Sequence, residues 1–441
     1  MNAPADNRGS VASAPDPVAS SPVYPAGSRV NERGRLEVAG CDVVDLAAEF
    51  GTPAYIYAED DIRERARAYV RAFEQRTSDF EVLFASKSLP CTAAYALLRE
   101  EGLSVDVASG GELHMALRAG FDPARIHLHG NNKGPDELRY AAESGVGHVV
   151  LDSFDEIELL ESILDRPQRV LIRITPGIKA STHDYIQTGQ EDSKFGFGLA
   201  DGLAERAVRR VRESSKLELV GLHAHIGSQI FELEPYAKAI EVLADFTRSV
   251  DFQPEVINVG GGLGIAYLDG DEPPSMDEYV DVKVRGVERV FDPVPRIAIE
   301  RGRSLVGNAG VTAYRVGTVK EIPGLRTYVA VDGGMSDNLR PMLYGARYEA
   351  VIADRAAETP DALVTVAGKH CESGDVLIRD ALIAAPRVGD VLVTPATGAY
   401  GHAMANNYNG VPRPPILFCR QGRARVVVRR ETWDDLLSRD E

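Results

Sequence analysis

Glu81-Val82-Leu83-Phe84-Ala85-Ser86-Lys87 is a short apolar run closed by a lysine. Similar runs recur along residues 81–300, and most end in a group suited to chemistry: the sixth in His225, the seventh in Gly260-Gly261-Gly262, the eighth in Glu300. Strands are read at 81–87, 103–108, 126–129, 148–152, 169–174, 218–226, 256–260 and 296–300. Between them lie segments with helical apolar spacing, such as Leu113, Ala116 and Leu117, or Tyr236, Ala239, Ile240 and Leu243. Strand and helix alternate, which is the signature of a parallel sheet. Eight units with no G-x-G-x-x-G after the first strand favour a closed (β/α)8 barrel over an open doubly wound sheet. Such barrels carry their active sites at the C-terminal ends of the strands.

Outward from this core the pattern changes. After residue 304, strands at 311–320, 327–332, 362–367, 391–394 and 424–428 follow one another without long helices. They predict a second, all-β domain over 305–441, a small barrel or sandwich. Residues 34–60 contain two strand-like runs expected to join that domain, so the barrel is assigned to 61–304. Residues 1–33 are rich in Pro, Ala, Ser and Gly and read as a disordered leader without a secretory signal.

The 441-residue chain has a formal net charge of −17, which argues against nucleic acid or an anionic membrane as the main partner. Its four cysteines, Cys41, Cys91, Cys371 and Cys419, form no C-x-x-C pair. That spacing predicts neither a structural metal nor a disulfide framework, and fits a reducing cytoplasm.

A strand-end lysine is most often a solvated cap. Inside a partly desolvated barrel mouth, Lys87 is instead expected to have a lowered pKa and to form a Schiff base with an aldehyde. His223-Ala224-His225 admits three readings: core histidines, two metal ligands, or a ring (His225) stacked on a flat cofactor. Ser228 and the run Gly260-Gly261-Gly262 suit a phosphate, since glycine lets backbone N–H groups approach an oxyanion. Glu300-Arg301-Gly302-Arg303 is a surface ion-pair cluster in the plain reading. In the functional one, Glu300 holds a protonated ring nitrogen and Arg303 grips a carboxylate or phosphate. Asp337-Asn338-Leu339-Arg340-Pro341 with Tyr344, the run Cys371-Glu372-Ser373-Gly374-Asp375, and Thr397-Gly398-Ala399-Tyr400 are polar loops of the second domain. There Cys371 is a possible proton donor and Glu372 a possible ammonium partner.

Together these strings resemble the fold-type III, pyridoxal phosphate (PLP)-dependent decarboxylases, and most closely the diaminopimelate decarboxylase branch. The resemblance covers nearly all of the chain after residue 34. It also takes in Asp106-Val107-Ala108-Ser109-Gly110-Gly111-Glu112-Leu113, His129-Gly130-Asn131-Asn132-Lys133, Thr188-Gly189-Gln190-Glu191-Asp192-Ser193-Lys194-Phe195-Gly196 and Gly221-Leu222-His223-Ala224-His225-Ile226-Gly227-Ser228-Gln229.

The resemblance implies that Lys87 carries PLP, that His225 stacks on its ring, and that Glu300 binds the pyridine nitrogen. Ser228, Gly260, Gly261, Gly262 and the backbone of Arg301, Gly302 and Arg303 would hold the phosphate, with Asp106, Arg173 and Tyr400 also on the cofactor. Arg303, Arg340, Tyr344, Glu372 and Tyr400 would contact the substrate. It implies a homodimer in which Cys371 and Glu372 act in the partner's site. Arg301 departs from the pattern, because many relatives have proline there. The implied reaction is decarboxylation of meso-2,6-diaminopimelate to L-lysine. The alternatives are decarboxylation of a related acid such as carboxynorspermidine, a metal-dependent hydrolase built on His223 and His225, and a catalytically silent regulator.

Overall fold

The computed structural model describes residues 16–178, 193–200 and 202–441. Residues 188–192 of the Thr188–Gly196 motif lie outside the described residues.

Eight parallel strands close into the barrel: β1 (Phe80–Ala85), β2 (Ser104–Val107), β3 (Ile126–Leu128), β4 (His148–Leu151), β5 (Gln168–Thr175), β6 (Leu217–His223), β7 (Val256–Asn258) and β8 (Arg296–Arg301). They pair in sequence order, and β8 returns to β1 with Glu300 opposite Leu83. Alternation decides what faces the axis, since residues two apart share a face of a strand. Leu83, Val150, Leu171, Val220, Val256 and Ala298 form a separate buried cluster inside the barrel. One pleat above that layer, Arg173 follows Leu171 and Glu300 follows Ala298, so the same alternation that fills the barrel aims these charged groups at its mouth. Val82, Phe84, Val105 and Val107 face the opposite way, into the larger core shared with the surrounding helices. Those helices begin where their sequences allow it: Ser109 and Ser153 accept from the backbone N–H of Glu112 and Glu156 and so cap their first turns.

Sequence reading places β6 over 218–226, but the strand ends at His223. His225 lies two residues beyond it, in the loop. Lys87 likewise does not end β1. It sits in a single helical turn, Ser86–Ser88, just after the strand.

The second region is a sheet in which β9 (Gly310–Ile322) is the long central strand. Its first half pairs with Ala54–Ala58 and with β13 (Val391–Thr394), and its second half with β10 (Arg326–Val331). Next to β10 come β11 (Ala362–Ala367) and β12 (Val376–Ile383). On the other side, Ala54–Ala58 pairs with β14 (Ile416–Arg420), which pairs with β15 (Arg423–Val428). The sequence reading missed β12 because Arg379 and Asp380 interrupt its apolar run, and missed β14 because it follows Pro414 and Pro415 directly.

Leu36–Val38 joins a different, three-stranded sheet with Arg29–Val30 and Cys41–Asp42. The expectation of a disordered leader is corrected for residues 16–33. Val18, Val23 and Tyr24 are buried there in the core of the second region, because this segment carries apolar side chains that the Pro/Ala/Ser composition hid.

Truncating the barrel interior should be costly. We expect Leu83→Ala to lose about 2–5 kcal/mol of stability, read as a lowered urea midpoint; an unchanged midpoint would show that the interior layer does not hold the barrel.

Candidate active site

The turn carrying Lys87 is pinned on both sides. Ser86 Oγ and the Ala108 N–H each donate to Glu112 Oε2 at 2.7 Å. Ser88 Oγ donates to the Ala85 carbonyl at 2.8 Å, and the Ser88 carbonyl accepts from the Tyr400 N–H at 2.9 Å. Lys87 keeps accessible surface, but that surface opens into a cavity of about 40 Å³ lined also by His225, Ser228, Gly261, Glu300 and Tyr400. The expected lowering of its pKa is corrected. Burial pulls the ammonium down, but Tyr400, Asp106 and Glu300 outweigh burial and the opposing Arg173, and hold it above the ordinary lysine value. Desolvation wins only for an isolated amine, and this one faces two carboxyl groups.

Glu300 is the centre of the mouth. Its Oε1 accepts from Asn258 Nδ2 at 2.9 Å and lies 3.1 Å from His129 Nε2 and 3.0 Å from His223 Nε2. Burial favours the neutral acid, but the two imidazoles hold Glu300 well below the usual carboxylate range. Burial in turn pushes His129 down to about 3 and lowers His223. The state consistent with both is an ionised Glu300 beside two neutral rings. His225 is also held well down by burial and by Lys87, and its Nδ1 accepts from the Gly261 N–H at 3.1 Å. The two histidines of the H-x-H string therefore do not converge: His223 serves Glu300, and His225 serves the glycine loop. The donor atoms of His129, His223 and Glu300 lie within 4.8 Å of one another, with both Nε2 atoms at ion-pair distance from Glu300 Oε1 but without a directed hydrogen bond to it.

Asp106 and Arg173 flank this centre. Burial and the charge of Glu300 push the Asp106 carboxyl well up, and Asp106 Oδ2 is buried without a hydrogen-bond partner. Arg173 lies 3.7 Å from Asp152 and packs its guanidinium 4.3 Å from the centre of the Phe195 ring.

The Gly260-Gly261-Gly262 loop fits its place only as glycine. A Cβ at each position would lie 2.4–2.5 Å from a backbone oxygen, of Ala224, Glu300 and Gly227 respectively. Gly260 and Gly262 also have positive φ, at 60° and 109°. Gly302 lies against Ala85 and Ser88 in the same cavity wall.

Arg303 separates this cavity from a second one of about 400 Å³, lined also by Gln229, Tyr267, Arg340 and Tyr344. Arg303 donates to Ser228 Oγ at 2.9 Å and to the Tyr267 hydroxyl, and stacks over Tyr400 at 4.8 Å. Arg340 donates to the Tyr348 hydroxyl and lies 4.3 Å over the Tyr267 ring. Cys371 and Glu372 stand apart. Both are exposed, and neither lines either cavity. Asp375 fixes their loop, accepting from the N–H of Met335 at 2.7 Å, the N–H of His370 at 2.9 Å and His370 Nδ1 at 2.8 Å.

The sequence reading gave no role to Glu112, Asn258, His129, Tyr267 or Tyr348. Glu112 and His129 sit inside the strings quoted above and Asn258 inside the strand read at 256–260; for His129 and Asn258 a polar side chain at a strand end was the available signal. Tyr267 and Tyr348 carried none.

Residues 59–307 match the profile of the pyridoxal-dependent decarboxylase family, pyridoxal binding domain. The chain is similar to diaminopimelate decarboxylase of Bacillus subtilis, 49% identical over 94% of this chain and 97% of that protein. It is 43% identical to that of Mycobacterium tuberculosis, over 94% and 97%. The crystal structure of diaminopimelate decarboxylase from M. jannaschii in co-complex with L-lysine superposes with a TM-score of 0.88 at 32% identity, over 94% and 97% of the two chains.

Histidines buried as neutral rings make stability pH-dependent. Below pH 6.5 the unfolded chain protonates these rings, whereas folded His129 and His148 stay neutral down to about 3. The unfolded state therefore binds more protons, and each ring costs up to about 1.4 kcal/mol per pH unit of acidification. Thermal unfolding should show a lower Tm at pH 5 than at pH 7.5; a Tm that holds or rises would contradict the neutral assignment.

Proposed function

The chain belongs to the pyridoxal-dependent decarboxylase family, and from that premise we propose that it converts meso-2,6-diaminopimelate to L-lysine and carbon dioxide. The observation that carries this reading is the shared cavity of Lys87, His225, Ser228, the glycine loop and Glu300, opening beside a second cavity that two buried arginines line. The residues lining the first cavity suit PLP. Asp106 Oδ2, in the field of Glu300 and Lys87, is buried without a hydrogen-bond partner, and the glycine loop leaves a cradle that any Cβ would disrupt. When bound there, PLP supplies the electron sink for the pair left by the departing carboxylate.

The residues divide the remaining work. Lys87 Nζ would hold the cofactor through its aldehyde, and as a free amine it would stand within the cavity. His225, kept neutral, packs on the ring face without competing for its charge. Ionised Glu300 keeps a proton on the ring nitrogen, a charge-assisted bond in a site with little water. Ser228, Gly260, Gly261 and Gly262, with the backbone of Arg301, Gly302 and Arg303, bind the phosphate, and Asp106, Arg173 and Tyr400 complete the cofactor wall. Arg303, Arg340, Tyr344 and Tyr400 face the substrate.

Diaminopimelate has a distal carboxylate that simpler diamino acids lack. Two buried arginines beside one 400 Å³ cavity suit a substrate with two carboxylates. One C–C bond breaks at the departing carboxylate, and one C–H bond forms at the same carbon.

The proton donor in this reading is Cys371 of the partner subunit, with Glu372 of the partner subunit on the distal ammonium. The exposure of both on a rigid loop supports a homodimer with shared sites. All four cysteines are free, and no helix among the described residues is long and apolar enough to cross a membrane; both facts are compatible with the cytoplasmic location we propose.

Purified protein with PLP should release lysine from meso-diaminopimelate in preference to ornithine, lysine or carboxynorspermidine, and Lys87→Ala should abolish that release. Near-normal turnover by the variant, or a preference for carboxynorspermidine, refutes the reading. Cys371→Ala should lower kcat by about 10²–10⁴-fold. Shared sites give a further expectation. Mixing and reassociating inactive Lys87→Ala and Cys371→Ala proteins should restore about a quarter of wild-type activity, since half of the random dimers then carry one intact site; no recovery would place Cys371 in its own subunit's site.

A further inference from the structure

Lys283 is fully buried in the helix Met276–Val290, which packs beneath the glycine loop. Its Nζ donates to the carbonyls of Val259 and, at 3.2 Å, Gly260. The Tyr279 hydroxyl, one turn earlier on the same helix, donates to the carbonyl of Gly261 at 3.2 Å. In a trans peptide the N–H points opposite to the C=O. Drawing these three carbonyls downward therefore turns the three amides away from the helix: those of Gly260 and Gly261 reach Asn258 Oδ1 at 2.9 Å and His225 Nδ1 at 3.1 Å, and Gly262 lines the cavity.

A second cation lies in the same layer. Arg301, 1% exposed, has its guanidinium 4.3 Å from the Tyr279 ring centre and 4.8 Å from that of Tyr69. It donates to Ser304 Oγ at 2.9 Å, while its Nε and Nη1 are buried without partners. Lys283 Nζ lies 4.6 Å from the Tyr279 ring centre and 4.7 Å from that of Tyr236. Neither cation has a carboxylate within ion-pair distance among the described residues. Burial, aided by Arg301, accordingly pushes the Lys283 ammonium well down. Two buried basic groups side by side are costly in an apolar site unless an anion faces them.

We propose that Lys283, Tyr279 and Arg301 are positioning residues for the cofactor phosphate, forming an underlay that holds the glycine-loop backbone in its shape, presents Gly262 to the cavity and supplies positive potential from below. This rests on the PLP reading above and deepens it: the underlay recognises the phosphate of the cofactor, not its ring or its aldehyde. The Arg301 side chain reaches into the aromatic box of Tyr69 and Tyr279.

The test compares PLP with pyridoxal, which lacks the phosphate, on the full-length chain stripped of cofactor. Binding is followed by the absorbance that each aldehyde gains on reacting with Lys87. Lys283→Met should weaken PLP binding by about tenfold or more while leaving pyridoxal within about twofold. Tyr279→Phe, which keeps the ring and loses only the hydroxyl, should shift the two ligands in the same unequal way and decides the matter if the lysine variant does not fold. Equal weakening of both aldehydes, or no weakening of PLP, overturns the inference while leaving the cofactor assignment in place. A wild-type chain that binds neither aldehyde overturns the assignment itself, and the inference with it.

Discussion

A carboxylate kept ionised inside a barrel mouth is the constraint around which this site is organised. Taking Glu300 out of water costs several kcal/mol unless its oxygens are matched by donors. Asn258 donates to Glu300 and the rings of His129 and His223 lie 3.1 and 3.0 Å from the same oxygen, drawing one residue from each of β7 and β6 and one from the end of β3. The solution has a consequence. Asn258 spends its other end on the Gly260 N–H at 2.9 Å, so the group that fixes the carboxylate also fixes the start of the glycine loop. The carboxylate and the phosphate cradle are thus one hydrogen-bonded unit, held from below by the helix that carries Lys283.

The two halves of the chain contribute different chemistry. The barrel supplies everything assigned to the cofactor except Tyr400, and the sheet region supplies Arg340, Tyr344, Tyr348 and the loop with Cys371. Arg303 stands at the junction, touching Ser228 on one side and Tyr267 on the other. Tyr400 is tied directly to the lysine turn through the Ser88 carbonyl. A rigid scaffold for the electron sink with a separable wall for substrate recognition is how a common barrel can serve acids that differ only at their far end. The same partition explains why Cys371 is exposed: in the proposed dimer, its work lies in another copy's cavity.

Much of this was legible in the sequence, for reasons that can be named. Eight apolar runs closed by polar residues gave the barrel, because a parallel strand must be buried on both faces and so reads as continuous hydrophobic sequence. Lys87, His225, Glu300 and the three glycines were visible because each follows such a run. The pKa of Lys87 was misjudged since it depends on Asp106, Glu300 and Tyr400, which lie far away in the chain. His225 was placed on a strand that stops short of it, because the apolar pattern of Ile226 continues past the last ladder bond. Tyr267, Tyr348 and Lys283 were invisible: a tyrosine in a loop and a lysine in an amphipathic helix read as surface, and only packing reveals that Lys283 is fully enclosed. The apolar residues of 16–33 were diluted by their small neighbours, so composition concealed a segment that buries Val18, Val23 and Tyr24.

The central claim is that ionised Glu300 keeps the cofactor's ring nitrogen protonated. Nitrogen-15 NMR of holoenzyme reconstituted with PLP labelled at the pyridine nitrogen reads that proton directly. Around neutral pH the wild-type protein should show a protonated nitrogen, and Glu300→Gln an unprotonated one. An unprotonated nitrogen in the wild-type holoenzyme would contradict the account.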